Sequence, residues 1–369
     1  MYYPDLEIKK AGRIAEVGLK LTTLLNLYNI LKPKIFGEFL KETLEDLGCV
    51  FVKFGQLLTY QPLNEEIKAE LNKLMYQVKQ FDTKKAEKIV ESRFGERIRL
   101  RRIATASIAQ VHRDWCGNAV KVRKPGIVDE VKRDLDILNS LPIPISFFTS
   151  TIKLLNKCLK DEVDFSNEAK NMQEFSEFSG LKIPEVYNFC EDVLIMEFAE
   201  GVNVLEIEKL SFDARKRAFW LLLNCIVDCI ENGKIHGDPS FSNVFVNKDG
   251  DVTLIDFGIV WRANKKQKEV IRDLYNSLIL KDFDSVIYIV NDEILKTEID
   301  LKIDEKDLGR LLFSDKNIID VLLEEGIRKN ADVKENYLIF LKSIIQWLKL
   351  SRRVMGGEPK EEDIIKAIF

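Results

Sequence analysis

Asp238, Asn243 and Asp256 are the residues of this 369-residue chain whose types and spacing most readily do chemistry. They stand in "KIHGDPSFSNVFVNKDGDVTLIDFG", residues 234–258, and His236, one of only two histidines, lies two positions before the first acid. A hard divalent cation such as magnesium takes oxygen ligands, one or two from protein and the rest from phosphates and water. Asn243 and Asp256 offer such oxygens from neighbouring turns. Asp238 is spaced to orient or deprotonate a nucleophile. Asp, Asn and Gly are also ordinary β-turn residues. The reading therefore gains force only if other parts of a phosphate-handling site are present.

H-x-D-x-x-x-x-N followed by D-F-G is the spacing of the protein kinases, and it requires a nucleotide loop, a strand lysine and a helical glutamate upstream. "ATASIAQVH", residues 104–112, fits the loop, with Ala104, Ala106 and Ala109 at the three glycine positions, Ser107 between them and Val111 following. Each alanine adds a Cβ where glycine would let backbone approach phosphate closely. Ala119-Val120-Lys121 matches the end of V-A-I-K, so Lys121 is the candidate phosphate-binding lysine. An exposed strand lysine is the competing reading. Glu168, in "DEVDFSNEAKNM" at 161–172, is its candidate partner, and Glu162 and Asp164 precede it as Glu-x-Asp. An acidic helix face is commonly just solvated.

These residues need strands and helices to hold them. Helical spacing of apolar residues predicts helices over 6–31, 36–61 and 63–78, and over a stretch after Asp82 that stops at Gly95. Period-two segments follow at 97–104, 107–115 and 118–124, the last two joined by a Cys116-Gly117-Asn118 turn. Helices are expected at 127–140 and 150–177, strands near 183–188 and 192–198, and helix from 203 onward apart from strands 244–247 and 252–256. This order predicts an α+β chain with a helical extension (1–95), a strand-rich part with inserted helices (96–200) and a helical part (201–369).

Composition narrows the class. Apolar residues make up 46% and charged residues 31%, with net charge −4 and no basic tract, so nucleic acid is not an expected partner. The six cysteines show no CxxC and read as reduced core residues. The opening "MYYPDLEIKK" lacks a secretory core, and no apolar run nears the roughly 20 residues of a membrane span. The expected location is cytoplasmic, peripheral to a membrane.

One more stretch is "FVKFGQLL", residues 51–58, where Lys53 and Gln56 stand i, i+3 on one helix face. Gly55 in mid-helix costs about 1 kcal/mol relative to alanine and suggests close approach to another element. Lys53-Phe54-Gly55-Gln56, the alanine loop and Glu162-Val163-Asp164 together resemble the UbiB-like (ADCK or ABC1-type) atypical kinases, over roughly residues 40–290. The resemblance implies a two-lobed protein-kinase-like fold whose N-terminal extension drapes over the cleft. It implies that Lys53 and Gln56 reach into the site near Glu162 and Asp164. Lys121 and Glu168 would form an ion pair, Asn243 and Asp256 would hold Mg2+, and Asp238 would be the catalytic-loop acid. Met196, Glu197 and Phe198 would line the ATP/ADP site with the alanine loop. It further implies an ATPase supporting isoprenoid-quinone or other lipid metabolism. Ser240 and Phe241 depart from the family's H-x-D-P-H-P-G-N.

An ordinary protein kinase is disfavoured: the arginine of H-R-D is absent and no A-P-E follows the D-F-G. Two alternatives remain, a phosphotransferase acting on a small molecule or protein, and a non-catalytic nucleotide switch. The alanine loop is testable directly. Ala106→Gly is expected to change nucleotide preference or raise self-phosphorylation; wild-type levels of both would make the alanines packing residues only.

Overall fold

The computed structural model describes residues 4–28, 30–59, 63–74, 80–140, 146–177, 180–280, 282–294 and 334–356. "LPIPI" at 141–145 and the last residues, "EEDIIKAIF", lie outside them. The chain forms two compact units, Met1–His112 with Lys121–Val163, and Arg113–Val120 with Asp164–Phe369.

The first unit opens with helices α1 (Pro4–Tyr28), α2 (Pro33–Leu47), α3 (Cys49–Leu58), α4 (Glu65–Leu71) and α5 (Thr83–Phe94). The helix expected over 36–61 is two helices, because Gly48 at φ 105° breaks the i→i−4 ladder between them. Asp82 caps α5, its carboxylate accepting from the Lys84 N–H, and Gly95 closes the helix in the left-handed conformation, both as the sequence predicts. Strands β1 (Arg101–Thr105), β2 (Ala109–Arg113) and β3 (Ala119–Arg123) lie side by side in that order. Helices α6 (Ile127–Ser140) and α7 (Ser146–Glu162) complete the unit. Phe51, Phe54, Leu57 and Leu58 of α3 are buried with Leu44 and Leu47, so the apolar face of this helix is core. Arg13 of α1 pairs with the buried Asp134 of α6 at 3.0 Å, which compensates a carboxylate otherwise costly to bury.

The second unit begins with α8 (Phe165–Ser176). A single helix over 150–177 is not found: Asp164 leaves the helical region and its side chain accepts from the Ser166 N–H, ending one helix and starting another. Strands β4 (Val186–Phe189) and β5 (Val193–Met196) pair antiparallel. Then come β6 (Val202–Asn203), α9 (Phe212–Asn232), β7 (Lys234–His236), β8 (Val244–Val246), β9 (Val252–Leu254) and β10 (Val260–Arg262). Strands β6, β8 and β9 form one small antiparallel sheet, and β7 pairs with β10, His236 opposite Val260. Helices α10 (Lys265–Ile279), α11 (Phe283–Ile289) and α12 (Glu335–Met355) follow. Strands β6, β7 and β10 are two or three residues long, and a period-two signal over that length is too weak to decide. Cys49, Cys158, Cys225 and Cys229 are buried free thiols as expected, whereas Cys116 is exposed and Cys190 half-buried, so these two are not core residues.

Gly55 of α3 has the close approach its position suggested. A Cβ there would lie 2.5 Å from Leu74 Cδ1 and 2.6 Å from Leu44 Cδ1. Gly55→Val is therefore expected to destabilise the first unit by roughly 1–3 kcal/mol through overpacking, read as a lowered melting temperature; an unchanged melt would show the two leucines simply move aside.

Candidate functional site

Three of the predicted residues are brought together by the two small sheets of the second unit. Strand β7 delivers His236 and Asp238, β8 leaves the loop just after Asn243, and β9 and β10 flank Asp256-Phe257-Gly258. Gly237 fits between them because it has no side chain: its N–H donates to the Ile259 carbonyl at 2.8 Å, and a Cβ would collide with Ile259.

His236 fastens the two acid-bearing segments to each other. The ring is fully buried. The Asp238 backbone N–H lies 3.2 Å from Nδ1, so Nδ1 must accept; Nε2 lies 2.9 Å from the Asp256 carbonyl, which can only accept, so Nε2 carries the hydrogen. Only neutral imidazole satisfies both. Burial pushes its pKa below the ordinary value, while the Asp238 and Asp256 charges and the backbone contacts pull the other way. The ring also stands edge-on to Phe257 at 4.7 Å.

Asp256 is the one non-glycine residue with positive φ, 63°, among the described residues. Such backbone is costly for a residue with a Cβ and persists where neighbours over-determine it. Here His236 holds its carbonyl, the Ile255 N–H donates to the Asn243 carbonyl at 2.9 Å, and Asn171 Nδ2 donates to the Phe257 carbonyl at 2.7 Å. Asn171 lies one turn beyond Glu168 on α8 and also accepts from Arg262 at 2.7 Å. Asn243 turns its amide nitrogen to the Asp238 carbonyl at 3.2 Å, which makes its oxygen the atom with metal-binding chemistry.

An amide oxygen and a carboxylate from adjacent segments are what magnesium uses alongside phosphates and water. No group of three or more His, Cys, Asp or Glu that could hold a metal occurs among the described residues, so a fully protein-made cage is not offered there. The residues present fit a magnesium–phosphate site.

The Asp238 carboxylate accepts from two side chains that the sequence reading missed, Lys342 Nζ at 3.1 Å and Gln346 Nε2 at 3.0 Å, both to Oδ1. They come from α12, more than a hundred residues downstream. No local signal in the sequence marks them.

The remaining predicted residues are distributed over both units. In the first, Lys53 pairs with Glu162 at 2.5 Å, joining α3 to the end of α7, while Gln56 is exposed. The alanine loop is the β1–β2 turn, with the Ala106 N–H donating to the Ala109 carbonyl at 2.8 Å. None of its residues has positive φ, so alanine is no strain there. Ala104 is exposed, Ala106, Ser107 and Val111 are half-buried, and Ala109 is fully buried. Lys121 on β3 is 7% exposed, which removes the solvent-facing reading. In the second unit, Glu168 is 2% exposed, so it is no solvated surface acid. Asp164 spends its carboxylate on the α8 cap. Met196 ends β5 and is buried, the Glu197 N–H donates to the Glu185 carbonyl at 2.8 Å, and Phe198 lies under the Arg113 guanidinium at 4.2 Å.

The ABC1 atypical kinase-like domain model matches residues 63–290. The chain belongs to the ABC1 atypical kinase-like family. An uncharacterized protein of Mycobacterium tuberculosis, Rv0647c, is 28% identical over 319 residues, covering 74% of this chain and 64% of that protein. The chloroplastic Arabidopsis thaliana protein ACTIVITY OF BC1 COMPLEX KINASE 1 is 28% identical over 276 residues, covering 66% of this chain and 40% of that protein. The chain thus spans less than two thirds of the length of these curated relatives. Among solved structures, the M. tuberculosis Rv3197–erythromycin complex shares the fold, with TM-score 0.57 at 20% identity over 74% of this chain and 80% of that one. The α+β kinase-like architecture that the element order and the family resemblance imply is the one found. Among the described residues no helix is long and apolar enough to cross a membrane.

The neutral His236 gives a pH prediction. The native state binds fewer protons here than the unfolded chain, whose histidine titrates near about 6.5. Stability is then complete above that value and falls as pH drops below it. Melting in chelator-containing buffer from neutral pH downward should show this slope, and His236→Met, less stable throughout, should lose part of it; identical slopes would contradict the assignment.

Proposed function

We propose that this ABC1-family chain is a magnesium-dependent, ATP-binding atypical kinase that hydrolyses ATP and couples the cycle to handling a lipid or isoprenoid-like molecule, in support of isoprenoid-quinone or other lipid metabolism. The observation that carries the reading is the strained Asp256, held against the Asp238–Asn243 loop by a buried neutral histidine. Strain of this kind collects where a side chain must be aimed rather than merely packed.

In this reading Asn243 and Asp256 hold the metal, and Asp238 orients the attacking water. Bound magnesium supplies charge neutralisation to the phosphate oxygens. Lys121 and Glu168, both buried, act as the phosphate lysine and its partner, and the alanine turn with Met196, Glu197 and Phe198 contacts the nucleotide. The Lys53–Glu162 pair fixes the K-x-G-Q helix on the end of α7, with Gln56 beside it and Asp164 nearby in sequence. The three-part organisation, 1–95, 96–200 and 201–369, belongs to the same proposal. Support for a lipid link is local: Leu19 is 71% and Ile30 74% exposed in the N-terminal segment, with Ile35 and Phe39 of α2 also exposed. Such residues suit peripheral membrane contact.

Phosphate release from Mg-ATP by the purified chain, with and without lipid vesicles, tests this. Turnover that vesicles stimulate and that Asp256→Asn lowers by roughly 100-fold or more is the expected result. No turnover in either condition, with ATP binding intact, would overturn the ATPase reading.

A further inference from the structure

Residues 235–247, which contain the catalytic-loop segment, hold no lysine or arginine. Asp238 nevertheless has a cation at hydrogen-bond distance, because α12 supplies one. Lys342 Nζ and Gln346 Nε2 stand one helical turn apart and converge on the same oxygen, Oδ1, at 3.1 and 3.0 Å. Lys342 is 7% exposed. A buried ammonium is costly unless paired, so the pairing is specific rather than an incidental surface contact.

α12 is a built-in element of the second unit, not a removable cover. It packs on α9 and reaches β7. Trp347, Leu350 and Val354 are fully buried. Phe340 stacks against Trp261 of β10 at 5.0 Å, and Arg353 Nη2 donates to the Leu205 carbonyl at 2.8 Å. A helix fixed from Phe340 to Val354 presents its two donors in one place, which is the requirement for positioning a carboxylate.

Resting on the proposed phosphoryl chemistry, we infer that Lys342, assisted by Gln346, is the positioning residue for Asp238: it fixes the carboxylate's rotamer through Oδ1 and offsets its charge, so that an anionic phosphate and an anionic acid share one site. Lys342 acts through Asp238 and forms no bond to the reacting atoms. The α12 helix thereby belongs to the catalytic machinery of the second unit.

The test uses the full chain as wild type, Lys342→Met, Lys342→Arg, Asp238→Asn and the double variant Asp238→Asn/Lys342→Met, each checked by melting temperature. Lys342→Met should lower kcat roughly tenfold or more with a much smaller change in KM, and Lys342→Arg should recover part of the loss. In the Asp238→Asn background, Lys342→Met should add little further loss, because the residue acts through the missing carboxylate. A second readout needs no turnover. Lys342→Met should lower the preference for ATP over ADP several-fold, and the double variant should restore it. A folded Lys342→Met with wild-type kcat and wild-type nucleotide preference overturns the inference, as does an equal loss in both backgrounds. Turnover abolished by Asp256→Asn but untouched by Lys342→Met rejects the positioning role and leaves the proposed activity standing. If wild type hydrolyses nothing, a shifted and restored nucleotide preference supports the role while the ATPase reading falls. A wild type that binds neither nucleotide overturns both.

Discussion

The candidate site of the second unit depends on one buried ring. His236 accepts from the Asp238 N–H and donates to the Asp256 carbonyl, so two segments that approach from different small sheets are set to within a hydrogen bond of each other. The arrangement works only for the neutral ring, and the site's own burial keeps it neutral against the pull of two nearby carboxylates. Fixed backbone partners decide the tautomer, since an N–H can only donate and a carbonyl only accept. A charged ring would lose its acceptor at Nδ1, and Asp238 would lose its anchor.

Other contacts reinforce this fastening from outside. Gly237 lets the loop lie against Ile259, and Asn171 of α8 holds the backbone of Phe257 while receiving Arg262. Phe257 itself is fully buried between the rings of His236 and Phe175. Each element contributes one bond or one aromatic face, and together they sustain a left-handed Asp256. α12 then adds the two donors on Asp238. The result is a pair of acids whose backbone is over-determined, as preorganised sites require.

Much of this was legible in the sequence because it rests on local chemistry. The D-x-x-x-x-N and D-F-G spacings, the cap at Asp82, the stop at Gly95 and the close approach at Gly55 each follow from residue types within a few positions. The breaks at Gly48 and Asp164 were missed because apolar spacing continues across them while the backbone does not. β6, β7 and β10 were not predicted although β8 and β9, equally short, were; over two or three residues a period-two signal is too weak to decide. Lys342 and Gln346 look like ordinary members of a helix; only tertiary placement turns them toward Asp238. Family membership came through the motifs and matches residues 63–290. Geometry added what spacing cannot carry: the burial of Lys121 and Glu168, and the pairing of Lys53 with Glu162.

With only two histidines in the chain, the ring at the centre of the site can be observed without ambiguity. Long-range 1H–15N correlation spectra of histidine-labelled protein at neutral pH, with a His112→Gln variant for assignment, report the protonation state of each ring nitrogen. His236 should show a protonated Nε2 and a bare Nδ1 there. A charged ring at neutral pH, or a hydrogen on Nδ1, would contradict the account, because neither form can hold Asp238 and Asp256 together.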